Sequence, residues 1–102
     1  MKRISIIVPV HNEETTIIPL LESVQEAINS IPDATFEVIV IDDASTDQTA
    51  SLLRNNTNIY DQSIILSKQS GKGGAVLRGL EKATGDFILF QDADLEYDPR
   101  DY

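Results

Sequence analysis

The residues most able to do chemistry are Asp92 and Asp94, two carboxylates two positions apart just past the apolar run Phe87 to Phe90. If the backbone turns there, both can point at one oxygen-loving cation. Mg²⁺ and Mn²⁺ suit such a pair, because they take few protein carboxylates and fill their remaining positions with water and phosphate oxygens. Glu96 could add a third oxygen from the same loop. A bare D-x-D string arises often by chance, so its weight comes from lying at a strand end. Asp42 and Asp43 also follow an apolar run. Carboxylates there can simply favour the start of the next helix, which suffices for Asp47. Two in succession suggest that one accepts hydrogen bonds from a base or ribose, and Asp43 is the better candidate. Gly71-Lys72-Gly73-Gly74 fails the triphosphatase loop pattern, since Leu66 and Gly73 stand where Gly and Ser or Thr are needed. It also fails the dinucleotide fingerprint, since position 76 is Val. A plain turn remains, or a turn feeding a helix N-terminus with Lys72 able to neutralise phosphate. His11 is the lone histidine, either an ordinary loop residue or a planar group packed beside a base.

The elements that must position these residues follow from periodicity. Ile4 to Val8, Val38 to Ile41, Ile64 to Leu66 and Phe87 to Phe90 are continuous apolar runs, as in parallel strands covered on both faces. Ile17, Leu20, Leu21, Val24, Ile28 and Ile31 recur at helical spacing, with Pro19 tolerable if the helix starts near Thr16 and Pro32 ending it. Ser45 to Gln48 reads as a capping box opening a second helix that runs to about Arg54. A third is expected from about Gly73 to Ala83, with Val76, Leu77 and Leu80 on one face and Gly85 as its stop. Right-handed crossovers then predict an α/β fold, a Rossmann-like parallel sheet of order 3-2-1-4 with helices on both faces. Ligands of such sheets bind beyond the carboxyl ends of the strands where the order reverses, here between the first strand and the fourth. The same order leaves Phe87 to Phe90 as an open edge without Lys, Pro or a bulge, so self-association through that strand is expected.

Composition bounds the function. In 102 residues the formal net charge of −9 argues against a nucleic-acid backbone as partner, while a metal could supply the charge that a phosphorylated small molecule needs. Asp98 and Asp101 read as solvating surface charge. The chain has no cysteine, which fits a reducing compartment. The apolar start stops at Pro9 and His11, and no segment approaches the ~18 apolar residues that span a bilayer. A soluble, cytoplasmic domain is expected.

Four strings in order carry a resemblance. They are Ile6-Ile7-Val8-Pro9-Val10-His11-Asn12-Glu13-Glu14, Val40-Ile41-Asp42-Asp43-Ala44-Ser45-Thr46-Asp47, Gly71-Lys72-Gly73-Gly74-Ala75, and Gly85-Asp86 through Asp92-Ala93-Asp94-Leu95. Together the chain resembles the N-terminal half of glycosyltransferase family 2 enzymes of the GT-A fold. Within the family it looks most like polyprenyl-phosphate sugar transferases of the dolichol-phosphate mannose synthase kind. The resemblance implies an inverting, metal-dependent transfer of sugar from a nucleoside diphosphate sugar, GDP- or UDP-linked, to a polyprenyl phosphate. It implies a substrate site of Pro9, Val10, His11, Glu13, Ile41, Asp43, Lys72, Asp92 and Ala93. The metal, Mg²⁺ or Mn²⁺, would be held by Asp92 and Asp94, with Glu96 accessory where relatives often carry Gln. His11 departs from the commoner Tyr. The family's acceptor half follows the metal motif, so residues 1–102 are expected to form a single donor-binding domain cut after that motif, inactive in transfer alone. The full-length enzyme is expected at the cytoplasmic face of a membrane. A saccharide hydroxyl acceptor and a non-catalytic nucleotide-binding module are the alternatives. An Asp-nucleophile phosphatase is disfavoured, because Glu96 stands where it needs Thr or Val.

Overall fold

The computed structural model describes residues 2–92. Strands and helices alternate as β1 (Lys2–Val10), α1 (Ile17–Asn29), β2 (Ala34–Asp42), α2 (Thr49–Arg54), β3 (Gln62–Ile65), α3 (Gly71–Lys82) and β4 (Phe87–Phe90), with a 3₁₀ turn at Thr57–Ile59. All pairings are parallel and the sheet order is β3-β2-β1-β4, the order expected from right-handed crossovers. Both central strands have six consecutive buried residues, Ser5 to Val10 and Glu37 to Asp42, so helices cover both of their faces.

Alternation along these strands divides the core in two. Ile6, Val8, Val10, Val38 and Val40 pack under α1 with Leu20, Leu21 and Val24, joined by Leu53 of α2. Ile7, Ile39 and Ile41 face the other way, against Ala75 of α3. The α1 stripe of Ile17, Leu20, Leu21, Val24 and Ala27 is buried, and Pro19 lies in the first turn, where its missing N–H costs nothing.

Three local expectations are corrected. No side-chain cap forms at the start of α2, which begins at Thr49; the Ser45 hydroxyl donates to Asp42 instead of capping a helix. In α3 the buried residues are Ala75 and Gly79, while Leu77 and Leu80 are 62% and 38% exposed. A Cβ on Gly79 would lie 2.7 Å from Ile7 Cγ2 and 2.8 Å from Ile41 Cδ1, so the helix meets bulky sheet side chains through its small residues. Gly85 does not stop α3, which ends at Lys82 with Ala83 already extended. Its lack of a side chain matters elsewhere, since a Cβ there would sit 2.7 Å from Ser5 N and 2.9 Å from Arg3 O.

That close approach belongs to a buried polar lock on β1, β2 and the lead-in to β4. Glu37, 3% exposed, accepts hydrogen bonds from Ser5 Oγ (2.6 Å), Thr84 N (2.7 Å) and Thr84 Oγ1 (2.6 Å), and Ser5 Oγ accepts from Gly85 N (2.9 Å). Arg3 Nη2 stands 3.7 Å from its carboxylate. Burial pushes the Glu37 carboxyl up, but the bonds from Ser5 and Thr84, with the Arg3 charge, outweigh it and hold the pKa below the usual glutamate value. The unfolded chain therefore binds the proton more readily. The contribution is complete above the ordinary glutamate range and is lost as pH falls through the lower, folded value. In urea unfolding from pH 7 to pH 3, Glu37→Gln should flatten the acid-side loss of stability and cost about 1–3 kcal/mol at pH 7. An acid profile as steep as that of the wild type would remove Glu37 from this role.

Candidate functional site

Because the sheet is parallel, β1, β2 and β4 deliver their following segments to one edge. A cleft of about 210 Å³ opens there, lined by Pro9, Val10, His11, Glu13, Asp43, Gln69, Gly71, Lys72, Ala75 and Asp92. Thus Pro9, Val10, His11, Glu13, Asp43, Lys72 and Asp92, singled out from the sequence, come together. Ile41 does not line the cleft. It alternates onto the α3 face and is fully buried with Ile7, Ile39 and Ala75, so its side chain was not brought to the cleft with the other expected substrate contacts. Ala93, Asp94 and Glu96 lie outside the described residues.

The two consecutive aspartates separate for the same reason. Asp42 shares the α1 face with Val38 and Val40 and is fully buried; its Oδ1 accepts from Ser45 N (3.0 Å) and Ser45 Oγ. Its Oδ2 is buried with no hydrogen-bond partner among the described residues. Asp43 is on the cleft side and 4% exposed, its Oδ1 accepting from Ser70 N (2.7 Å) and Ser70 Oγ (3.0 Å) at the start of α3.

A set of polar contacts interlocks the loop after β1 with the loop after β2. Asn12 Oδ1 accepts from Thr46 N (2.7 Å), and Asn12 N donates to Ser45 Oγ (2.9 Å). Glu13 N donates to Thr49 Oγ1 (3.0 Å), Glu14 N to Asp47 Oδ2 (3.3 Å), and Gln48 N to Glu14 Oε2 (3.1 Å). Burial pushes the Asp47 carboxyl up, but bonds from Thr49 Oγ1, Thr49 N and Glu14 N outweigh it and hold the pKa below the usual aspartate value. Asn12 and Ala44 are left-handed, with φ of 53° and 56°, which costs a non-glycine residue about 1 kcal/mol or more. His11 Nδ1 lies 2.7 Å from the Asp43 carbonyl, which only accepts, so Nδ1 must donate. The other ring nitrogen, Nε2, faces Asn12 Nδ2 at 3.4 Å.

On the opposite wall, Lys72 Nζ pairs with Asp92 Oδ1, and the Asp92 side chain is 20% exposed. No group of three or more His, Cys, Asp or Glu able to hold a metal occurs among the described residues. Asp92, half-buried, oxygen-bearing and already holding a cationic group, fits a hard divalent ion as one ligand of a set.

The model of the glycosyl transferase family 2 matches residues 5–102. The chain belongs to that family. A relative, undecaprenyl-phosphate 4-deoxy-4-formamido-L-arabinose transferase of Proteus mirabilis, is 33% identical over 99% of this chain and 32% of its own length. A mannosyltransferase from Pyrobaculum calidifontis, solved in complex with GDP-Man and Mn²⁺, superposes with a TM-score of 0.82 at 31% identity, covering 98% of this chain and 30% of that one. S. aureus TarS, solved in complex with UDP-GlcNAc, does so with a TM-score of 0.77 at 40% identity, over 92% of this chain and 27% of that one. The chain thus spans about a third of the length of these relatives and has the fold of the N-terminal part of GT-A glycosyltransferases. No helix among the described residues is long and apolar enough to cross a membrane.

For this member of glycosyl transferase family 2, the sequence reading gives no role to Asn12, Thr49, Gln69 or Ser70 and assigns Ser45 only to a helix cap. Asn12 had a usable signal, since Asn tolerates the left-handed region and commonly bonds nearby backbone. Ser70, directly before Gly71, had another as a candidate N-cap. Although exposed, Asn12 should behave unlike a surface residue. Asn12→Ala should lose about 1 kcal/mol in urea unfolding, from the lost side-chain bond to the Thr46 amide and because Ala tolerates positive φ less well than Asn. Asn12→Gly should lose less, since it relieves the strain and removes only the acceptor. Equal stability of all three proteins would show that the two loops hold together without it.

Proposed function

We propose that the cleft binds a nucleoside diphosphate sugar, with Asp43 and His11 toward the nucleoside and Lys72, Asp92 and Asp94 toward the diphosphate. The parent protein then transfers the sugar, with inversion, to a polyprenyl phosphate at the cytoplasmic face of a membrane. The observation that carries this reading is the meeting of Asp43, Lys72 and Asp92 in one cleft at the reversal of strand order, where such sheets take their ligands. The GDP-Man, Mn²⁺ and UDP-GlcNAc complexes of relatives support a nucleotide sugar and a divalent ion. The name of the Proteus relative supports a lipid phosphate acceptor. Asp92, Asp94 and accessory Glu96 would hold Mg²⁺ or Mn²⁺. The ion, when bound, supplies a Lewis acid that stabilises charge on the departing diphosphate. Asp43 Oδ2 remains an acceptor for a ribose hydroxyl or base N–H while Oδ1 holds Ser70. A phosphate acceptor is already ionised and needs little help from a protein base.

Calorimetric titration of UDP and GDP tests the reading. Binding should be weak without metal and clearly stronger with Mn²⁺, because Glu13, Asp43 and Asp92 otherwise repel a diphosphate. Asp43→Ala should weaken it by about 1–3 kcal/mol. Equal binding with and without Mn²⁺, or an unchanged affinity in Asp94→Asn, would sink the metal assignment.

The sheet edge supports self-association of the 102-residue chain. β4 pairs with β1 alone among the described strands, and Phe87 and Phe90 are 51% and 54% exposed. An exposed apolar edge strand tends to recruit another strand. Light scattering across a concentration series should give a mass above the monomer that rises with concentration, and Phe90→Lys should reduce it. A wild-type chain monomeric throughout would refute the association.

A further inference from the structure

α3 turns its small residues inward and leaves its large ones outside. Ala75 and Gly79 are buried against the sheet, while Leu77, half a turn from each, is 62% exposed and Leu80 is also exposed. Phe90 stands on the same side of the sheet, since it is in register with Ile7, which packs under α3, and it too is exposed. The charge of α3 and its lead-in is opposite to that of the whole chain. Residues 68–82 hold four of the eight basic residues and one of the seventeen acidic ones, in a chain of net charge −9. Lys72 is engaged with Asp92 in the cleft, so Lys68, Arg78 and Lys82, all exposed, set the sign of this surface. The one acid, Glu81, stands 3.9 Å from Arg78 with both side chains more than half exposed, so water weakens the pair. The exposed acids of α1, Glu22 and Glu26, lie across the sheet in a molecule no less than 24 Å across, against a Debye length of ~8 Å.

We propose that the outer face of α3, together with Phe90, is the surface by which this domain lies on an anionic lipid bilayer. Leu77, Leu80 and Phe90 enter the boundary between headgroups and acyl chains, while Lys68, Arg78 and Lys82 reach lipid phosphates on their long stems. Apolar groups alone would suit a second copy of the chain, but two copies meeting through this face would set like charges against each other. A nucleic acid would take the charges and leave three exposed apolar side chains unused. The inference deepens the lipid-phosphate acceptor reading above and rests on it for its purpose. Gly71 and Lys72 of α3 line the cleft, and the 12-residue helix is ~18 Å long at 1.5 Å per residue. A helix lying on the bilayer therefore keeps the cleft within its own length of the headgroups, where a lipid-phosphate acceptor resides.

The test is sedimentation with vesicles of phosphatidylcholine alone or mixed with phosphatidylglycerol, with a vesicle-free spin to subtract self-association. Wild type should partition onto the mixed vesicles, only weakly onto phosphatidylcholine, and less as salt is raised. Arg78→Gln/Lys82→Gln should lower partition onto mixed vesicles on the order of tenfold or more, at roughly fivefold for each basic residue near the surface. Leu77→Gln/Leu80→Gln should lower it on the order of tenfold, for two leucines partly withdrawn from water. Arg54→Gln, which removes a basic residue from α2 on the other side of the sheet, should change it little. All five positions are exposed, and circular dichroism checks that each variant is folded. UDP and GDP titration of the same variants should match wild type, so the two readings fail separately. Partition onto anionic vesicles with no nucleotide binding would keep the docking surface and remove the donor site. Nucleotide binding with no partition, with equal partition onto both vesicle types, or with variants that all match wild type would overturn the docking surface and leave the donor site intact. A vesicle-free mass that falls in Leu77→Gln/Leu80→Gln, with no vesicle binding, would assign the face to a second copy instead.

Discussion

The parallel hydrogen bonds that β1 makes on both sides, to β2 and to β4, hold Val10 beside Asp42 and Ile7 beside Phe90. That register brings the ends of three strands to one edge, so the residues that follow them converge without any loop having to reach far. A parallel sheet of this kind must be covered on both faces, and the six-residue buried runs of β1 and β2 are the sequence cost of that cover. At the opposite edge, Glu37 joins β1, β2 and Thr84 in one buried polar group. A fully satisfied network of this type specifies which backbone segments lie side by side. The lead-in to β4 is thereby fixed from the end remote from the cleft.

Above the sheet, the loops after β1 and β2 have no regular structure of their own, yet their amides are satisfied by each other's side chains. Asn12, Ser45, Asp47 and Thr49 replace the hydrogen bonds that a helix or strand would have supplied. The left-handed Asn12 and Ala44 are the strain that this close fit requires. His11 is oriented by the same loops through the Asp43 carbonyl, so the ring and the Asp43 carboxylate belong to one rigid unit. The third wall is different in kind. Lys72 is a long, exposed side chain on the first turn of α3 that reaches across to pair with Asp92 just past β4.

Much of this was legible in the sequence. Uninterrupted apolar runs revealed buried parallel strands, the helical stripe of α1 revealed its buried face, and the handedness of crossovers led from element order to sheet order. The polar residues after β1, β2 and β4 could be named as a site because topology alone sends them to one edge. These signals are carried by neighbours a few residues apart, or by rules that hold for any chain of this element order. For the same reason, the family could be recognised from four short strings.

What remained belonged to the meeting of elements distant in sequence. Ala75 and Gly79, not Leu77 and Leu80, form the contact face of α3, because Ile7 and Ile41 leave no space for a larger group. Ile41 lay in the string that pointed to the nucleotide, yet its side chain is buried beneath α3, while Asp43, two residues on and past the end of β2, lines the cleft. Ser45 looked like a helix cap, but the nearby Asp42 carboxylate was the acceptor its hydroxyl found. The residues available to a site, their chemical types and the edge at which they gather are determined by the sequence alone. Which of them face the ligand, which hold one another and which are buried beneath was decided by tertiary structure, because close packing and donor–acceptor pairing depend on the partners that folding brings within a few ångströms.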